Sequence, residues 1–364
     1  MRSRASITVD LASRSYPVHV GTGMGEDLAT AIADAVGTAK VAVIMDANLG
    51  RLYGARLASQ MDLAGVRHQI HLIPPGETSK SLGRAAWLHR RLIAQGLDRS
   101  SAVVAVGGGV VGDLAGFVAS TFLRGVELYQ VPTSLLAMVD SAIGGKNGVN
   151  LKSAKNSVGT IWQPRSVWVD LDYLQTLPSD EFRHALAEVA KYALAMDAEL
   201  FDLLSARAAD LLGRDQALLA RVIRRCIEIK AQVVSQDEFD AGKRAVLNYG
   251  HTVGHALEQA SGFALPHGDA VALGMRAAAQ ISARTRRCGP EVPERQHQLL
   301  VSLGLPQESP VVSRAAVLRA MTRDKKVRAG RLQWVLLSRI GDVLWEQQVD
   351  RDVVVEAVDM VLGR

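Results

Sequence analysis

The chain has 364 residues, 48% of them apolar, enough for a substantial core and consistent with two domains. A net charge of only +5, 5% aromatic residues and no dense Lys/Arg run argue against a nucleic-acid surface and favour a small anionic substrate. No stretch has the apolar length of a membrane span, and the two cysteines, Cys226 and Cys288, imply no disulfide framework, so a cytoplasmic protein is expected.

Residues 1–19 alternate through Ile7, Val9, Tyr16 and Val18 and read as a hairpin. Residues 40–45, KVAVIM, form a short buried strand that ends at Asp46. Further strands are expected over 69–73, 101–106, 126–131 and 166–171, separated by helix-length segments such as 81–93. Alternating strand and helix predicts a mostly parallel sheet covered on both faces, over residues 1–178. Past Pro178 the pattern becomes helical, over 179–212, 218–234, 246–260, 268–285 and 292–303. Residues 332–337 and 343–346 flank Gly341 as a small hairpin. The fold class expected is α/β plus all-α, with residues 179–364 mainly helical.

Gly107-Gly108-Gly109 follows a strand and precedes a helix containing Gly112, Asp113 and Gly116. Glycines admit close backbone approach, and the free N–H groups of a helix start favour phosphate. Asp46, at the end of its strand, is placed to accept from ribose hydroxyls. Glu77 and Lys80 follow another strand and a Pro-Gly turn. A second glycine cluster, Gly144-Gly145-Lys146-Asn147-Gly148, lies near Asp140 and Lys155-Asn156. Charged and polar residues among glycines suit an anionic ligand held close to the backbone.

Three histidines occur within Arg244–His267. His251 and His255 are four apart on one helical face, and His267 follows a turn. Zinc accepts imidazole and carboxylate, and catalytic sites keep one position open. His251 and His267 are good ligands, with Glu188 the best third because Lys191 lies one turn on and faces the same way. Spacing leaves His255 open as ligand or base.

Several long motifs together resemble the 3-dehydroquinate synthase family of sugar phosphate cyclases. They are GGGVVGDLAGFVAS (107–120), RGVELYQVPTSLLAMVDSAIGGKNGVN (124–150), KN (155–156) and LPSDEFRHALAEVAKY (177–192). RAVLNYGHTVGHALE (244–258), PHGDAVALGM (266–275) and DKK (324–326) complete the set. The resemblance implies a Rossmann-like NAD+-binding domain and a helical domain holding Zn2+ or Co2+, with substrate between them. It implies metal ligands Glu188, His251 and His267. His255 then serves substrate phosphate and proton transfer. Arg124, Asn156 and Lys325 or Lys326 match phosphate-side positions, Arg124 coming from the partner of a homodimer. Lys146, Lys230 and Arg244 match the carboxylate side. Asp140, Lys191 and Asn248 match groups that contact ring hydroxyls. Asp46, Glu77, Lys80, Gly109, Asp113, Thr133, Ser134, Lys146, Lys155 and Thr176 match the NAD side.

The implied substrate is 3-deoxy-D-arabino-heptulosonate 7-phosphate, a phosphorylated sugar acid closed to 3-dehydroquinate in the shikimate pathway. An aminodehydroquinate synthase is the nearest rival. The chain departs from the family pattern at Ser134, Asn147, Asp269, Ala193, Met196 and the stretch NLKSAK (150–155). None of these removes a matched ligand or cation.

Overall fold

The inner strands are nearly continuous apolar runs because their sheet is covered on both faces. The computed structural model describes residues 5–151, 154–308, 312–322, 327–328 and 331–364. Strands β1 (Ala5–Val9), β2 (Tyr16–Gly21), β3 (Lys40–Asp46), β4 (Arg67–Ile73), β5 (Ala102–Gly107) and β6 (Glu127–Pro132) come first. An antiparallel hairpin, β7 (Lys146–Leu151) and β8 (Ala154–Ile161), precedes β9 (Ser166–Asp170). The main sheet runs β1-β2-β9-β6-β5-β3-β4. Only its β1–β2 pair is antiparallel.

Alternate residues of the central strands serve opposite faces. Helices α1 (Gly25–Val36) and α2 (Ala55–Leu63) cover one face, α3 (Leu82–Gln95) and α4 (Gly109–Thr121) the other. Val41, Val43 and Val104 pack with Leu28, Ile32, Leu57 and Met61. Ala42, Ile44 and Val103 pack with Leu88, Leu92, Leu114 and Val118. The strand ends at Asp46 and Gly107 therefore lie side by side, one residue beyond the Met45–Val106 pair.

The second half is helical: α5 (Ser179–Met196), α6 (Ala198–Leu212), α7 (Gln216–Gln236), α8 (His251–Ala260), α9 (His267–Arg284), α10 (Glu291–Ser302), α11 (Arg314–Met321) and α12 (Arg351–Val361). The expected small hairpin forms between Trp334–Arg339 and Asp342–Gln347. Two sequence readings need correction. The helical stretch over 179–212 breaks at Asp197, whose extended backbone and carboxylate accepting from Leu200 N at 3.0 Å cap the next helix. The helix expected over 246–260 begins only at His251. A 3-10 turn, Lys243–Asn248, precedes it, and Gly250 then takes the left-handed φ of 81°. Two compact units result, Met1–Leu177 with Lys230–Phe239, and Pro178–Ile229 with Asp240–Arg364. No helix among the described residues is long and apolar enough to cross a membrane.

Helices α8 and α9 approach backbone to backbone. A Cβ on Gly274 would collide with the Gly250 carbonyl and stand 2.7 Å from Gly254 N, and one on Gly254 would stand 3.0 Å from the Ala270 carbonyl. These are backbone atoms and cannot swing aside. Gly274→Ala is therefore expected to lower the urea unfolding midpoint, a loss of about 1–3 kcal/mol or more. Gly83→Ala, in a helix with nothing within 4 Å of the new methyl, should be neutral or stabilising. Equal midpoints for Gly274→Ala and the unmodified chain would refute close approach.

Candidate functional site

In the second unit, α5 carries Glu188 and Lys191, α8 opens on His251, and α9 opens on His267. Glu188 is 0% exposed. A carboxylate so buried needs charge partners. The Lys191 ammonium pairs with Oε2. Oε1 lies 3.4 Å from His251 Nε2 and 3.5 Å from His267 Nε2, with no hydrogen-bond partner among the described residues. Burial pushes the Glu188 carboxyl up, but Lys191 and His251 outweigh it and hold it well below the usual carboxylate range.

These separations fit a cation. Ligand atoms about 2.0–2.2 Å from one tetrahedral ion lie about 3.3–3.6 Å from each other. The donor atoms of Glu188, His251 and His267 all lie within 4.8 Å of one another. Each imidazole turns its other nitrogen to an acceptor: His251 Nδ1 to the Tyr249 carbonyl and His267 Nδ1 to Glu258 Oε2, both at 3.1 Å. Burial alone would lower the His267 pKa, but Glu188 and Glu258 raise it to about 10.

His255, one turn after His251, is exposed, its ring 5.2 Å from that of His251. Its donors, with those of Glu258 and His267, form a second close group. Arg244 and Asn248 belong to the 3-10 turn before α8, and Arg244 is 2% exposed. Arg183 donates to Asp269 at 3.1 Å, tying the start of α9 to α5. Asp269 thus has a structural role.

In the first unit, Gly109 opens α4 behind Gly108, and Thr133 N donates to the Gly107 carbonyl at 3.0 Å. Ser134 Oγ accepts from Ala137 N at 3.3 Å. Asp46 Oδ1 accepts from Asn48 N and Leu49 N at 2.8 and 3.1 Å, capping the turn after β3. Buried Lys80 donates to Asp113 and, at 2.5 Å, to Asn156 Oδ1. Burial raises the Asp113 pKa, and Lys80 only partly offsets it. Glu77 Oε1 accepts from Asn150 Nδ2 at 2.6 Å, and Asn150 Oδ1 accepts from Asn156 N at 2.9 Å. Asn156 thus shares one hydrogen-bond network with Lys80, Asp113 and, through Asn150, Glu77.

Lys230 donates to the Asp140 carbonyl at 2.6 Å and also to its carboxylate. Lys146 opens β7 exposed, while Asn147 turns inward and its Nδ2 donates to the Gly145 and Trp162 carbonyls at 2.8 and 3.0 Å. Lys155 lies on β8. Arg124 ends an exposed turn in which Leu123 and Arg124 have φ of 50° and 69°. Thr176 is exposed beside Tyr53, its hydroxyl 2.7 Å from the phenol oxygen. Lys325 and Lys326 lie outside the described residues. Glu258 was missed as a site residue. The available signal was its position three residues after His255 and seven after His251, on the same helical face.

Family models match most of the chain, "3-dehydroquinate synthase N-terminal" over residues 70–184 and "3-dehydroquinate synthase C-terminal" over 185–327. A 3-dehydroquinate synthase of Rhodopirellula baltica is 43% identical, over 97% of this chain and 96% of the relative. Among solved structures, a 2-deoxy-scyllo-inosose synthase complexed with carbaglucose-6-phosphate, NAD+ and Co2+ superposes with a TM-score of 0.90, at 27% identity over 97% of this chain and 99% of that one. A 2-epi-5-epi-valiolone synthase of Streptomyces hygroscopicus subsp. jinggangensis, with NAD+ and Zn2+ bound, gives 0.88 at 28% identity over 99% of each chain. Matched along nearly its whole length, and carrying the Glu188–His251–His267 cluster, the chain belongs to the 3-dehydroquinate synthase family.

Proposed function

We propose that this chain is a carbon–oxygen lyase that converts 3-deoxy-D-arabino-heptulosonate 7-phosphate to 3-dehydroquinate and phosphate, in the shikimate route to chorismate and the aromatic amino acids. The observation that carries the reading is the convergence of Glu188, His251 and His267, in a chain 43% identical to a 3-dehydroquinate synthase. Those three residues would hold Zn2+ or Co2+. Residues 1–178 would hold NAD+, with its pyrophosphate at the start of α4 near Gly109 and its ribose near Asp46 or Glu77. The divalent ion would supply Lewis-acid polarisation of a substrate hydroxyl, and NAD+ a reversible hydride acceptor with no net redox change.

The chain's own residues bind, orient and move protons. Arg244, Lys230 and Lys146 would pair the substrate carboxylate, and Arg124, Asn156 and Lys325 or Lys326 its phosphate. Asp140, Lys191 and Asn248 would orient ring hydroxyls. Exposed His255 would carry the proton on an imidazole nitrogen as phosphate leaves. Thr133, Ser134, Lys155 and Thr176, with Lys80 and Asp113, would line the NAD side. Arg124 would act across a homodimer. Its support is a turn that holds two non-glycine residues in the left-handed region and leaves Arg124 exposed, a strain that calls for a function.

Two outcomes test the reading. Alanine at Glu188, His251 or His267 should abolish turnover and deplete metal, measured by elemental analysis beside the unmodified protein. Full metal content in all three variants would overturn the ligand set. Arg244→Ala should lower kcat/KM for the heptulosonate phosphate by one to several orders of magnitude, on the scale of about 2–5 kcal/mol for a lost buried charge partner. It should discriminate far less against a sugar phosphate that lacks the carboxylate. An equal proportional loss for both compounds would show that Arg244 does not read the carboxylate.

A further inference from the structure

Glu258 lies on α8, 8% exposed, seven residues past His251. Its Oε2 is 3.1 Å from His267 Nδ1, while His267 Nε2 faces Glu188 Oε1 at 3.5 Å. A carboxylate in this position accepts and does not donate, so the hydrogen bond requires the proton on Nδ1. With the proton on Nδ1, the Nε2 lone pair of the neutral ring points at the donor cluster. His251 is set the same way, but by a neutral carbonyl, that of Tyr249. The two histidines thus share a tautomer and differ in the charge behind them.

We infer that Glu258 is the positioning residue of the metal centre, a carboxylate that fixes the His267 tautomer and ring angle. The inference rests on Glu188, His251 and His267 holding the ion. Glu258 acts through His267, whose Nδ1 it faces. Its second grouping, with His255 and His267, does not compete, because His267 offers Glu258 only the nitrogen turned away from Glu188. An outer carboxylate of this kind changes metal affinity or activity by about 10–100-fold when removed.

The test measures zinc affinity by chelator competition, with NAD+ present, in the unmodified protein and in Glu258→Ala, Glu258→Gln and Glu188→Ala. Glu258→Ala should bind zinc about 10–100-fold more weakly. Glu258→Gln keeps an acceptor oxygen but no charge, and should fall between Glu258→Ala and the unmodified protein. At saturating metal, KM for substrate should stay within about twofold, since the residue serves the ion. The visible spectrum of the Co2+-loaded protein should shift in Glu258→Ala and largely recover in Glu258→Gln. Unchanged zinc affinity in either Glu258 variant would overturn the inference, with Glu258→Gln deciding if the alanine variant does not fold. If Glu188→Ala also binds zinc normally, the ligand assignment itself has failed. A defect in Glu188→Ala alone rejects only the role of Glu258.

Discussion

A carboxylate with no solvent exposure governs the second unit. Glu188 cannot stay charged there without neighbours, and the fold brings it Lys191 from its own helix and two imidazoles from helices distant in sequence. Their arrival depends on backbone geometry. The left-handed Gly250 starts α8 at His251, and Gly254 and Gly274 let α8 and α9 touch. His267 is the first residue of α9, whose start is tied back to α5 through Asp269 and Arg183. The helical packing and the donor cluster are therefore one construction.

The first unit solves a different problem, presenting backbone donors and charge at one edge of a parallel sheet. Parallel register places the ends of β3 and β5 side by side, with the start of α4 directly after β5. Buried Lys80 joins Asp113 on α4 to Asn156 on β8, and Asn150 continues the network to Glu77. Such networks hold polar side chains in place at little entropic cost once a ligand arrives.

The donor cluster was legible because its signals are local and chemically narrow. His251 and His267 stand among glycines, and the three-residue step from Glu188 to Lys191 puts acid and base on one helical face. The parallel sheet was legible from its apolar runs. Glu258 was not, since its role depends on which nitrogen His267 turns toward it. The late start of α8 depends on one left-handed glycine inside a helical pattern. The β7–β8 hairpin escaped because Lys146, Asn147 and Gly148 show no apolar alternation. Their pairing becomes clear only once Asn147 is seen bridging the Gly145 and Trp162 carbonyls.

The central claim is that one cluster of ligands and one nucleotide site serve a reaction with no net redox change. It is tested most directly by counting. The metal-loaded protein is supplied with one equivalent of NAD+ and excess 3-deoxy-D-arabino-heptulosonate 7-phosphate, and phosphate, NADH and carbocyclic product are followed together. The account predicts many phosphates and an equal amount of 3-dehydroquinate per NAD+, with no NADH accumulating. One NADH formed per substrate consumed, without release of phosphate, would mark an ordinary dehydrogenase and contradict it.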